Sequence, residues 1–231
     1  MTDQQRNVQT LKHYALEQGI SVFGVAPFDP TEARSRLLDR EGGRLPYAIS
    51  MGIQLSWGVL DGIIDHPTLL YKWHYRQANI VLDRVAFQMT LMIQEMGGKA
   101  VPIPASQIVD WETQRGHLSH KHVGVMAGHG WIGRNNLLVH PQFGSGVRYV
   151  TILTDLPLVV DRPVQGDCGR CRACVEVCPA GALGETPEQY DFHKCFEQLR
   201  YFSKQRGIGQ YICGVCVRAC RGALWAGGDA G

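Results

Sequence analysis

Apolar and polar positions alternate along this chain with two clear periods. Val8, Leu11, Ala15 and Leu16 recur at helical spacing over residues 4–19, and Gly19 supplies a stop. Ser21 to Ala26 reads as a short buried strand. Asp29-Pro30-Thr31-Glu32 reads as a capped helix start running to about Asp39. Ala48 to Leu55 is a second strand. Pro67 then precedes the longest helical signal, Leu69 to Met96, in which Ile80, Val81, Val85, Met89, Met92 and Ile93 fall three and four apart. Gly97-Gly98 ends it, and Lys99 to Ile103 follows as a strand. The stretch from His117 predicts a short helix capped by Ser119, and Gly128 to Gly133 a glycine-rich turn. Leu137 to Val139 and Val147 to Thr154 are strands, and Pro157 and Pro163 mark a linker. Beyond it the pattern is loop-like, with one helix near Phe192 to Arg206 and a frayed tail from Ala226 to Gly231.

Composition adds one decisive feature. The chain has 231 residues, 45% hydrophobic, with a formal net charge of +2. That charge is too balanced for bulk attraction to nucleic acid or membrane. The polar N-terminus carries no signal-peptide core, and no apolar run spans a bilayer; the nearest, Ile49 to Ile64, holds Gln54, Ser56 and Asp61. A cytoplasmic location is expected. All eight cysteines lie between Cys168 and Cys220. In a reducing compartment such clustering points to metal ligands. The expected division is therefore residues 1–160, a cofactor- or substrate-binding domain, and 161–231, a metal module.

The run Cys168-x2-Cys171-x2-Cys174-x3-Cys178-Pro179 has the spacing of bacterial ferredoxins, in which the fourth cysteine ligates the other cluster. A second set follows in Cys195, Cys213, Cys216 and Cys220. By pseudo-symmetry one [4Fe–4S] cluster takes Cys168, Cys171, Cys174 and Cys220, and the other Cys178, Cys195, Cys213 and Cys216. Two Zn(Cys)4 sites or disulfides are the competing readings. Arg170, Arg172, Arg218 and Arg221 flank the thiolates, where they offset cluster charge or dock an acidic electron donor.

Ala127-Gly-His-Gly-Trp-Ile-Gly-Arg-Asn-Asn-Leu-Leu-Val-His140, then Phe143-Gly-Ser145, Leu153 to Leu158 and the cysteine run resemble the epoxyqueuosine reductases. These relatives of the corrinoid-dependent reductive dehalogenases use cobalamin and two [4Fe–4S] clusters to reduce an epoxide in a tRNA-modification pathway. The resemblance implies an α+β fold: a nitroreductase-like N-terminal domain followed by a ferredoxin-like 2[4Fe–4S] module. It implies a corrinoid approached by Gly128, Gly130 and Gly133, with Trp131, Arg134 and Asn135 near the ring, and electrons arriving from a ferredoxin or flavodoxin.

Two departures shape the expectation. The chain ends at Gly231, without the helical repeats that engage tRNA in that family, so tRNA is an improbable partner. The family's proton-donating aspartate aligns nearest Gln114; Asp110 supplies an acid only with a gap, and Pro102 to Ser106 otherwise replaces that segment. His120 or His129 is then a candidate donor in its place. His117, His120 and His122 are also dense enough to raise zinc binding, with a polar pocket wall the plainer alternative. The expected function is a cobalamin-dependent reductase acting on a small molecule or a partner's corrinoid. A reductive activator of a corrinoid methyltransferase, or a ferredoxin-like carrier, is the alternative.

Overall fold

The structure, a computed structural model, describes residues 1–29, 45–112 and 114–222. The helix expected from Asp29 to Asp39 and the tail from Ala226 lie outside these residues, apart from Asp29 itself. The chain divides into two compact units. The first draws on Met1–Ile53, Ala78–His129 and Arg148–Val164, the second on Gln54–Gln77, Gly130–Val147 and Gln165–Gly231.

The first unit is built on a sheet in the order β1 (Val22–Pro27), β2 (Tyr47–Gln54), β6 (Val147–Thr154), β3 (Ala100–Ile103). β1 and β2 pair antiparallel, as do β3 and β6. Side chains two apart on a strand share a face. Val25, Ile49, Met51, Val150 and Ile152 accordingly enter one core with Leu11 and Ala15 of α1 (Asp3–Glu17) and Leu82, Val85, Met89 and Ile93 of α3 (Leu69–Glu95). Ala26, Ala48, Ile103 and Leu153 point the other way, onto Val123 of α4 (His120–Met126). Helices therefore cover both faces, and β6 is buried along almost its whole length.

Local chemistry sets the helix ends. Thr2 and Gln5 form a capping box at α1. Gly97, at φ +86°, ends α3 with bonds from the Gly97 and Gly98 amides to the Gln94 and Ile93 carbonyls. Ser119 stands at the start of α4 but its hydroxyl makes no capping bond, so that expectation fails in its chemistry. The proline-marked stretch after β6 is not loose: Asp161 accepts from the Val25 amide at 2.8 Å and donates its own amide to the Val25 carbonyl at 2.8 Å.

The second unit has little regular structure. α2 (Trp57–Leu60) leads towards the start of α3, where His74 Nε2 accepts from the Ser56 amide. The expected glycine turn at 128–133 contains a strand: β4 (Trp131–Ile132) pairs with β5 (Leu138–Val139) in a hairpin. The cysteines ride on α5 (Ala173–Glu176), α6 (Phe192–Lys204), α7 (Val215–Ala219) and the segments that flank and join them. No described helix is long and apolar enough to cross a membrane.

Candidate functional site

All eight cysteines are free thiols. The electrostatic neighbours of Cys174 are Cys220, Cys168 and Cys171. Those of Cys216 are Cys213, Cys195, Cys174 and Cys178. By these influences Cys168, Cys171, Cys174 and Cys220 lie near one another, as do Cys178, Cys195, Cys213 and Cys216, and Cys174 is also felt by Cys216. Burial and these neighbours push Cys174 and Cys213 up to about 12 and Cys216 well above the ordinary thiol range. Ionising several neighbouring, mostly half-buried thiols together is costly unless a cationic group draws off their protons. As a donor set they fit a polynuclear iron–sulfur group. Among the described residues no three His, Cys, Asp or Glu side chains close on a single ion, including the His117–His122 run. One zinc needs its sulfurs at about 2.3 Å from a common point.

Side chains and amides already reach the sulfurs. The Ala182 amide lies 3.4 Å from Cys178 Sγ. Ser145 hydrogen-bonds the Cys220 thiol, which opposes the upward push of burial there. Tyr190 does the same for Cys195. Arg221, where ferredoxins carry proline, pairs with Asp61 and lies 4.0 Å over the Trp57 ring.

Within the segment expected to line a corrinoid, several side chains reach the first set of thiols. Arg134 donates to the carbonyl oxygens of Cys171 and Gly169, each at 2.9 Å. Asn135 is buried and donates to Ser145 Oγ at 2.8 Å, one step from Cys220. A Cβ on Gly133 would stand 2.5 Å from Val139 Cγ2 and 3.3 Å from Cys168 Sγ. Gly130, at φ +144°, would place one 1.9 Å from the Val139 carbonyl oxygen, and Gly128 one 2.8 Å from that of Arg162. Backbone carbonyls fill the Cβ side of Gly128 and Gly130, and the Val139, Asn135 and Cys168 side chains that of Gly133. Trp131 packs its ring on Gly166 and keeps a buried indole N–H without a partner among the described residues. The roles of Arg134 and Asn135 depend on partners 10 to 37 residues away in sequence, which spacing alone does not reveal.

The three nominated proton donors all lie in the first unit, in different settings. Asp110 is exposed and accepts from the Glu112 amide across a turn closed by Asp110–Arg115 pairing. His120 has both ring nitrogens engaged: Nε2 donates to the Pro104 carbonyl at 2.9 Å, so Nδ1 accepts from Thr151 Oγ1 at 2.8 Å. Burial lowers its pKa to about 4, and Arg148 adds to the effect. His129 is buried, with Nε2 at 3.2 Å from the Ser50 carbonyl and its ring stacked on Tyr149 at 5.8 Å. The Ser50 and Tyr149 hydroxyls beside it are buried without partners among the described residues. A cavity of about 160 Å³ lies between residues 103 and 120; His117 and His120 both line it.

No family model matches the chain. Among curated proteins, the epoxyqueuosine reductase of Escherichia coli K12 is 41% identical over 220 residues, 83% of this chain and 56% of that protein. The Bacillus cereus epoxyqueuosine reductase is 34% identical over 116 residues, 46% of this chain and 30% of that one. The chain thus spans about half, or less, of the length of these relatives. Among solved structures, the reductive dehalogenase NpRdhA superposes with a TM-score of 0.78 at 20% identity, over 95% of this chain and 32% of that one. A reductive dehalogenase described for B12-dependent dehalogenation gives 0.75 at 21%, over 95% and 32%. An epoxyqueuosine reductase bound to an epoxyqueuosine-modified tRNA-Tyr stem loop gives 0.59 at 21%, over 96% and 66%. The chain is therefore similar in sequence to epoxyqueuosine reductases and shares with them and the reductive dehalogenases an α+β fold.

Proposed function

We propose that this chain is an iron–sulfur oxidoreductase of the epoxyqueuosine reductase kind, holding two [4Fe–4S] clusters through its eight cysteines. The observation that carries the reading is the grouping of the thiols: Cys168, Cys171, Cys174 and Cys220 in one set, Cys178, Cys195, Cys213 and Cys216 in the other. When bound, such clusters supply one-electron transfer. The protein's part is to hold and tune them. Arg134 ties down the Cys168–Cys171 loop, Gly133 clears room beside Cys168, and Asn135 orients Ser145 towards Cys220. Hydrogen bonds to the sulfurs from Ser145, Tyr190 and the Ala182 amide stabilise the ionised thiolates.

A corrinoid is the proposed electron acceptor, supported by the fold shared with a B12-dependent dehalogenase. Gly128, Gly130 and Gly133 do not support it, because their open sides are filled by the chain itself. Of the nominated contacts, the unpartnered Trp131 indole N–H is the one able to meet such a ligand. Proton handling falls to His129, whose neighbours Ser50 and Tyr149 carry unsatisfied hydroxyls; His120 is closed off by its own bonds. A ferredoxin or flavodoxin would supply electrons. The substrate is an electrophile of the epoxide type that gives the relatives their name. A tRNA-borne substrate stands beside a small molecule in this reading, since a structural neighbour is solved with a tRNA stem loop.

Anaerobic purification followed by iron, sulfide and cobalt assay tests this. About eight irons and eight sulfides per chain are expected, and Cys174→Ala and Cys216→Ala should each remove about half. Two zincs in a colourless protein would refute the cluster reading. Unchanged spectra on adding hydroxocobalamin would refute the corrinoid alone.

A further inference from the structure

The first unit contains a cavity, lined in part by the nominated donor His120, whose occupant the proposed clusters do not account for. Its wall is a built one. The Asp110–Arg115 pairing closes the loop, and the Gly116 backbone approaches Gln107 so tightly that a Cβ there would stand 2.8 Å from its carbonyl oxygen. His120 is pinned by Pro104 and Thr151 and cannot turn towards a ligand without losing both bonds. His117 differs: it lines the cavity, and its Nδ1 is buried with no hydrogen-bond partner among the described residues. A buried polar atom left in this state is a cost that a ligand can remove.

The rest of the lining defines the ligand's chemistry. Ser106, Gln107 and Gln114 supply neutral hydrogen-bonding groups and Ile103, Ile108 and Leu118 an apolar surface; among the described residues no Asp, Glu, Lys or Arg lines the cavity. A volume of about 160 Å³ is well below the roughly 300–1,000 Å³ of drug-sized pockets, so it suits one ring or an equivalent fragment. Neutral histidine carries one donor and one acceptor nitrogen, according to tautomer. A carboxamide offers both complements and is served whichever Nδ1 provides.

We infer that this cavity is a binding site for an uncharged, ring-sized group bearing a carboxamide, with His117 as the residue that recognises it. The cavity lies wholly within the first unit, so its occupancy is independent of the iron–sulfur reading.

Benzamide, benzoate and benzamidine, alike in shape but neutral, anionic and cationic, are the probes. They are titrated calorimetrically into the 231-residue chain, with iron assayed in the same sample so that metal loss and ligand failure are read separately. Benzamide should bind saturably, and each charged analogue at least tenfold more weakly. In ¹⁵N-histidine-labelled wild-type protein benzamide should move the His117 ring resonances, which needs no variant to fold. His117→Phe should weaken benzamide about 5- to 10-fold, the loss of one neutral hydrogen bond. No benzamide binding, equal binding of all three probes, or binding that leaves the His117 resonances in place overturns the assignment.

Discussion

Arg134 donates from Nη1 to the carbonyl oxygen of Cys171 at 2.9 Å, and the same guanidinium reaches Gly169 through Nη2. A planar fork thereby fixes the turn that presents Cys168 and Cys171. Its side chain is 15% exposed, so these charged bonds are little weakened by solvent. Arg134→Gln should cost about 1.5–3 kcal/mol, the range for bonds to charged groups. Arg134→Lys should recover only part, since an ammonium cannot span both carbonyls in one plane. Iron per chain should fall towards half in Arg134→Gln, and the urea midpoint with it. Wild-type iron content and midpoint together would show that the loop holds its shape unaided.

Ser145 governs the other side of the same set. Its hydrogen bond favours the ionised form of Cys220, while Asn135 holds the hydroxyl in place. A hydrogen bond to a cluster sulfur stabilises the reduced, more negative state. Ser145→Ala should therefore lower the potential of one cluster, by about 40 mV if one bond of about 1 kcal/mol is lost and 59 mV is tenfold for one electron. Asn135→Ala should shift it the same way by less, and also destabilise the protein, because the Leu137 amide loses Asn135 Oδ1. EPR-monitored redox titration measures both; a rise in potential, or two clusters moving equally, would contradict this wiring.

Two glycines with positive φ separate backbone strain from steric conflict. At Gly97, with φ +86°, a Cβ would meet nothing within 4 Å; at Gly130, with φ +144°, it would meet a carbonyl oxygen at 1.9 Å. Gly97→Ala should cost about 1 kcal/mol, the left-handed penalty alone. Gly130→Ala must also displace the β5 backbone and should cost more than about 3 kcal/mol, or abolish soluble expression. Paired denaturation curves decide it, and equal costs would mean that β5 moves aside easily.

The sequence carried the parts of this molecule that depend on short-range periodicity. The two-residue alternation of Val147 to Thr154 and the recurrence of Val85, Met89, Met92 and Ile93 at helical spacing each found their element within a residue or two. The cysteine motif was recognisable because its spacing is itself local. The glycine segment was not. Gly133, Arg134 and Asn135 owe their roles to Cys168, Cys171 and Ser145, brought together only by the fold. The histidines divide for the same reason: His117 precedes the helix that begins at His120, and Thr151 and Pro104 satisfy His120 while His117 Nδ1 is unmet among the described residues.

His120 should also leave a mark on stability. Its folded pKa is lowered to about 4, mainly by burial, against 6.5 in the unfolded chain. Between these values the unfolded state binds a proton that the folded state refuses, so stability rises with pH across about 4 to 6.5 and is fully expressed above it. At 1.36 kcal/mol per pH unit the whole window is worth about 3 kcal/mol at most. His120→Gln removes the titration while keeping a neutral hydrogen-bonding side chain. Wild type minus variant, from urea unfolding at pH 5 and pH 7.5, isolates the effect from other groups. The wild type should lose stability relative to the variant at pH 5; a difference that does not change with pH would show that folding leaves the imidazole's pKa where it is in the unfolded chain.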